Sequence, residues 1–194
     1  LKSCLDKYLK EENESFNRIV NIFKEKKLKK VLFVGMGCSL YAPHNVVDYL
    51  TSRGISALVL NAYEASRYQF GHITSDTLVV AISQSGESAE VIELTQKAKK
   101  ITTVVGIVNK KGSSLDKILD HRLWMYAGEE RTIANKSYLC TLAILNILSA
   151  ALVEELNHDF VTQLYDSAEW ISTFLKNSID NTESIYNFVK DSTY

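Results

Sequence analysis

The stretch Asp76-Thr77-Leu78-Val79-Val80-Ala81-Ile82-Ser83-Gln84-Ser85-Gly86-Glu87-Ser88 decides the architecture of this chain. Its first eight residues are almost continuously apolar, the pattern of a strand buried on both faces of a parallel sheet. The run then stops at a cluster of serines around one glycine, and helix-patterned residues follow from 87 to about 100. A strand feeding a helix in this way is half of a βαβ unit. Four further runs behave similarly: VLFVG at 31–35, ISALVLNA at 55–62, TTVVGIVN at 102–109 and RLWMYA at 122–127. Helical patterns lie at about 40–52, 62–70 and 114–119, and a long apolar helix is predicted at about 135–156. The expectation is an α/β fold, a doubly wound five-stranded parallel sheet flanked by helices.

Helical extensions bracket this array. Residues 1–29 place Leu5, Tyr8, Phe16, Ile19, Val20 and Phe23 at helical spacing and end in a basic run that suits a helix C-terminus, so that run is given no function. Residues 157–194 are helically patterned and hold no sixth strand, which divides the chain into 1–29, 30–156 and 157–194.

Composition narrows the function classes. The chain has 194 residues, 46% hydrophobic and 23% charged, an ordinary globular make-up. The charge balance is 22 − 23 = −1, so no nucleic-acid or anionic-membrane partner is expected and any bound anion must be held locally. The three cysteines, Cys4, Cys38 and Cys140, match neither a disulfide framework nor a metal-ligand spacing, which points to a reducing, cytoplasmic setting. Tyr138–Val153 is the longest apolar stretch, but it is too short for a membrane span and reads as a core helix. His44, His72, His121 and His158 are read as surface or capping residues, and neither a metal nor a cofactor is expected.

Ligands of open parallel sheets sit outside the carboxyl ends of the strands, so any chemistry is expected at those junctions. After the third strand, the hydroxyls of Ser83, Ser85 and Ser88, a glycine and a helix N-terminus can together cradle a phosphate monoester without a cation. The competing reading is that Ser85 caps the helix and Ser83 merely ends the strand. After the first strand, Gly35-Met36-Gly37-Cys38-Ser39 resembles a dinucleotide fingerprint but has Leu40 where the third glycine belongs, which disfavours nucleotides. After the fifth strand, Glu130 and Lys136 either meet a sugar or are solvated. Cys38 has no partner base in view, so it is not read as a nucleophile.

Together these junctions resemble the sugar isomerase (SIS) domain family, whose marks are a Gly-x-Ser turn, SQSGET, and AGxExxxASTK before a buried helix. The corresponding segments here are GCS at 37–39, SQSGES at 83–88 and AGEERTIANK at 127–136. The third departs most, with Asn135 where the family has a Ser-Thr pair. The resemblance spans about 30–155 and implies a flavodoxin-like sheet. It also implies that Ser83, Gln84 (through its backbone), Ser85 and Ser88 hold phosphate, and that Cys38 and Ser39, with Glu130 and Lys136, approach the sugar. In style it is nearest to the first SIS domains of glucosamine-6-phosphate synthases and fructosamine-6-phosphate deglycases.

Such enzymes carry two SIS domains, with the catalytic base in or after the second. The absence of an initiator Met and of such a base fits an N-terminal half that binds rather than turns over substrate. The expected function is therefore phosphosugar binding within an isomerase or aminotransferase acting on a ketohexose 6-phosphate or its amino derivative. The expected ligand is a phosphorylated sugar or amino sugar, and the expected assembly is a homodimer. The alternative is a non-catalytic phosphosugar-sensing module, although only some 30 residues precede the first strand, too few for a helix-turn-helix domain.

Overall fold

In a computed structural model, which describes residues 1–130 and 134–190, five strands form one parallel sheet in the order β2-β1-β3-β4-β5. They are β1 (Lys30–Gly35), β2 (Ser56–Asn61), β3 (Thr77–Ser83), β4 (Val104–Val108) and β5 (His121–Trp124). Every residue of the central β3 is buried, as its unbroken apolar run requires. Its register is fixed on both sides, Val34 of β1 facing Ala81 and Ile107 of β4 facing Ile82.

Alternation along the strands sends side chains to two covered faces. On one face Leu32, Val34, Val79 and Ala81 pack with Ala65 of α5 (Ala62–Arg67), Leu94 of α6 (Ala89–Ala98) and Leu115 of α7 (Ser114–Ile118). The other side holds α8 (Lys136–Leu152), which packs against α2 (Asn13–Glu25) and α4 (His44–Thr51). Eleven of the 17 residues of α8 are buried, so its all-round apolarity reflects a core position. No helix among the described residues is long and apolar enough to cross a membrane.

The structure departs from the sequence reading in four places. The lead-in helix is two helices, α1 (Lys2–Lys10) and α2, and the nearly buried Glu12 at the joint accepts a hydrogen bond from the Tyr126 hydroxyl. The helix expected at 40–52 is split into α3 (Cys38–Tyr41) and α4 around Pro43, which has no N–H to continue the ladder. β5 ends at Trp124 rather than at residue 127, because Tyr126 takes a left-handed backbone, φ +51°. His121 is half-buried within β5 rather than at the surface; burial lowers its imidazole below the ordinary range, and its Nδ1 has no partner among the described residues.

Residues 157–190 form a second compact unit, made of α9 (His158–Asn177) and α10 (Ile179–Val189). Asn157 caps α9 by accepting the Phe160 N–H at 2.9 Å, and Trp170 and Phe174 stack one helical turn apart, their rings 5.6 Å between centroids.

Candidate functional site

The strand order reverses between β1 and β3, and it is at this switch point that a parallel sheet opens a crevice at its carboxyl end. The turn Gly37-Cys38-Ser39 follows β1 and the serine loop follows β3, so two segments distant in sequence meet there.

The serine loop is an ordered object. The buried Ser83 hydroxyl accepts the Gly86 N–H at 3.1 Å and lies 3.2 Å from the Ser88 hydroxyl. Ser88 is the N-cap residue of α6 and has extended backbone, yet its side chain makes no capping bond. Serine is a preferred cap, so a serine in that place that turns instead toward Ser83 leaves the first amides of α6 without a side-chain acceptor. The acid inside the loop, Glu87, is held elsewhere. Glu87 accepts the Ser114 N–H at 3.1 Å, and bonds from Ser114 keep its carboxyl below the usual range despite some burial. Ser85 is exposed and accepts the Glu87 N–H at 3.2 Å, a turn contact rather than a cap on α6. The corner thus presents hydroxyls beside the first amides of α6, which the Ser88 side chain leaves uncapped.

The first turn sits against this corner. Cys38 is exposed and Ser39 half-buried, and both border a small cavity of about 20 Å³ together with Gln84 of the serine loop and Ser137, Tyr138 and Thr141 of α8. Tight approach of the β1 turn depends on Gly35, where a Cβ would stand 2.7 Å from the Ser39 carbonyl carbon and oxygen.

Gln84 also borders a larger cleft of about 720 Å³. Its walls include Lys7 of α1, Asn109 and Lys110 after β4, Trp124, Tyr126, and Gly128 to Glu130. Asn109 sets that wall: its Oδ1 accepts the Ala127 N–H at 3.0 Å and its Nδ2 donates to the Gly128 carbonyl at 2.8 Å. Lys7 lies over the Tyr126 ring, 4.7 Å from its centroid. The sequence reading passes over this fourth junction, although the rule that singles out the other three applies equally to Asn109 at the end of β4.

The third motif has a structural task in this arrangement. The Glu130 carboxylate accepts the backbone N–H groups of Lys136 at 2.6 Å and Ser137 at 3.0 Å, and also the Ser137 hydroxyl, so it satisfies the amino end of α8 from a distance. Asn135, the N-cap residue, makes no such side-chain bond. Lys136 donates from Nζ to the Glu129 carbonyl at 2.7 Å. Residues 131–133 of the motif lie outside the described residues. Burial pushes the Glu130 carboxyl up, but the bonds from Ser137 and Lys136 outweigh it and leave the group below its ordinary value of 4.5. A depressed folded-state value means that the contribution is present when the pH is above the unfolded value and is lost as the pH falls through the folded one. Glu130→Ala should therefore cost about 0.5–2 kcal/mol at neutral pH, and the gap from wild type should close in acid. Urea unfolding from pH 7 down to 3 checks this; a gap independent of pH would refute the capping role.

The SIS domain pattern matches residues 24–153. The chain belongs to the SIS domain family. A glutamine–fructose-6-phosphate aminotransferase (isomerizing) of Thermococcus kodakarensis is 32% identical over 164 residues, covering 80% of this chain and 27% of that enzyme. The chain therefore spans about a quarter of the length of this relative. Among solved structures, the C-terminal domain of the Francisella tularensis glucosamine-fructose-6-phosphate aminotransferase superposes with TM-score 0.75 at 24% identity, covering 91% of this chain and 51% of that one. A protein of E. coli CFT073 in complex with a sugar phosphate superposes with TM-score 0.69 at 19% identity, covering 84% of this chain and 90% of that one. These two likenesses bear on fold alone. In this SIS domain the Gly-x-Ser turn and the serine loop flank the β1/β3 switch point. Among the described residues no cluster of His, Cys, Asp or Glu could hold a metal ion.

Proposed function

We propose that this SIS domain binds a phosphorylated ketohexose or its amino derivative through the corner between β3 and α6. The observation that carries the reading is the uncapped α6 N-terminus, with the Ser83 and Ser88 hydroxyls 3.2 Å apart beside it. A phosphate ester supplies the acceptors that these hydroxyls and amides lack, and each hydrogen bond to its charged oxygens contributes roughly 1.5–3 kcal/mol. In this reading Ser83, Ser85, Ser88 and the Gln84 backbone hold the phosphate. Cys38 and Ser39 face the sugar hydroxyls across the small cavity, and Glu130 and Lys136 shape the far wall through the start of α8. Support comes from the aminotransferase relative, whose name includes fructose 6-phosphate, and from the structural neighbour in complex with a sugar phosphate.

The chain would act as the binding part of an isomerase or aminotransferase, where phosphate anchoring orients the sugar for proton transfer between C1 and C2 by groups outside this domain. We also read it as a cytoplasmic protein that pairs with a second copy. The three free cysteines support the first point, and the exposed Trp170, Phe174 and Phe188 of the second unit support the second.

Isothermal titration of the whole chain with fructose 6-phosphate, glucosamine 6-phosphate, fructose and glucosamine tests the assignment. Binding of the phosphorylated pair alone is expected. Equal affinity for the unphosphorylated sugars, or no binding to any of the four, would overturn it.

A further inference from the structure

Cys4 in α1 and Cys140 in α8 are 136 positions apart in sequence, yet their Sγ atoms stand 3.5 Å from each other. Both are free thiols, 8% and 3% exposed, and they sit where α1 docks on the core helix. A disulfide requires a separation of about 2.05 Å, so the sulfurs need to close by only about 1.5 Å. We propose that Cys4 and Cys140 are a redox modification site: oxidation by a small peroxide joins them and ties α1 covalently to α8.

The surroundings dictate how the reaction would run. Burial, with Cys4 beside it, pushes the Cys140 thiol up to about 12, so Cys140 stays protonated while α1 is docked and does not meet the oxidant first. Cys4 is the entry point. Its helix is only nine residues long and its N-cap residue, Leu1, supplies no side-chain bond, and a helix of that length is marginal without its tertiary contacts. When α1 loosens, the Cys4 thiolate attacks one peroxide oxygen. The S–O bond forms, the O–O bond breaks, and the departing hydroxide takes a proton to become water, leaving a sulfenic acid. While α1 is still loosened, Cys140 is open to water and can shed its proton, and as the helix returns the Cys140 thiolate displaces that hydroxyl. The S–S bond forms, the S–O bond breaks, and the departing hydroxide takes up the proton that Cys140 shed, giving a second water. Two electrons pass from the two thiols to the peroxide, and no other reactant is needed.

The link has a structural consequence at the larger cleft. The same helix carries Tyr8, whose hydroxyl bonds the Met125 carbonyl, and Lys7, which lies over Tyr126 in the cleft wall. A closed disulfide would hold that wall in place. This inference does not depend on the phosphosugar reading, since it involves no residue of the serine corner and is tested without a sugar.

The test treats the full reduced chain with hydrogen peroxide, blocks remaining thiols under denaturing conditions and maps the peptides by mass spectrometry. A Cys4–Cys140 linked peptide that has lost two hydrogen atoms is expected, and it should disappear on treatment with dithiothreitol. Closing a loop of 136 residues should also lower the urea unfolding equilibrium constant roughly a thousandfold. Recovery of Cys4 and Cys140 as alkylated thiols while the exposed Cys38 is oxidised would overturn the proposal. So would their recovery as sulfinic or sulfonic acids, or a linked product no more stable than the reduced chain.

Discussion

Gly86→Ala is expected to dismantle the serine loop, with a loss of about 2–5 kcal/mol in stability and no measurable phosphosugar binding. Two independent costs meet at this position. Gly86 has φ +66°, a left-handed backbone that costs a side-chain-bearing residue about 1–2 kcal/mol. A Cβ there would also lie 2.1 Å from Ser113 Oγ and 2.5 Å from Ser113 Cβ, and overpacking of that kind costs about 1–3 kcal/mol. The loop cannot slide aside, because the Gly86 N–H bonds Ser83 and its carbonyl accepts the Leu115 N–H at 2.9 Å. The two costs can be separated. Ser113 caps α7 by accepting the Asp116 N–H at 3.3 Å, and replacing a serine cap by glycine costs only a few tenths of a kcal/mol. Adding Ser113→Gly to Gly86→Ala should therefore return the overpacking part and leave the backbone part. Urea midpoints of the two single variants and the double variant would show it. A Gly86→Ala loss below about 1 kcal/mol would mean that the corner tolerates rearrangement and is not a preformed cradle.

Ser85→Ala should have the opposite profile, a large effect on binding with little effect on folding. Ser85 is exposed, and its hydroxyl accepts the 3.2 Å bond from the Glu87 amide at the surface, so stability should change by no more than about 0.5 kcal/mol. If its hydroxyl is one of the phosphate donors, losing a hydrogen bond to a charged acceptor weakens fructose 6-phosphate binding roughly 10- to 150-fold. Calorimetric titration of variant and wild type at equal ionic strength measures this. Superimposable curves would remove Ser85 from the site. Ser83→Ala is less clean, because the buried Ser83 hydroxyl also accepts the Gly86 amide and its removal disturbs the loop as well as the ligand contacts.

The sheet was legible because its signal is local. A strand covered on both faces must be apolar at every position, and β3 is buried throughout, as its sequence requires. Two of the three strand-end motifs were legible for a related reason. Ser83 to Ser88 and Gly37 to Ser39 carry hydroxyls and glycines where a strand ends, and the family pattern adds a specific order. Glu130 and Lys136 were visible as residues but not as contacts. Whether a carboxylate meets a ligand, water or a helix end depends on where the following helix begins, and here it bonds the amides of residues 136 and 137.

From the chain alone came the parallel α/β layering, the position of the serine corner and its family, since apolar periodicity and short strand-to-helix turns act over a few neighbouring residues. The tertiary structure decided that Ser88 leaves α6 uncapped, that Glu12 at the joint of the leading helices meets Tyr126, that Asn109 braces the cleft wall and that Cys4 rests on Cys140. Each of these joins groups brought together only when the layers close, and no local propensity encodes a partner from a distant part of the chain.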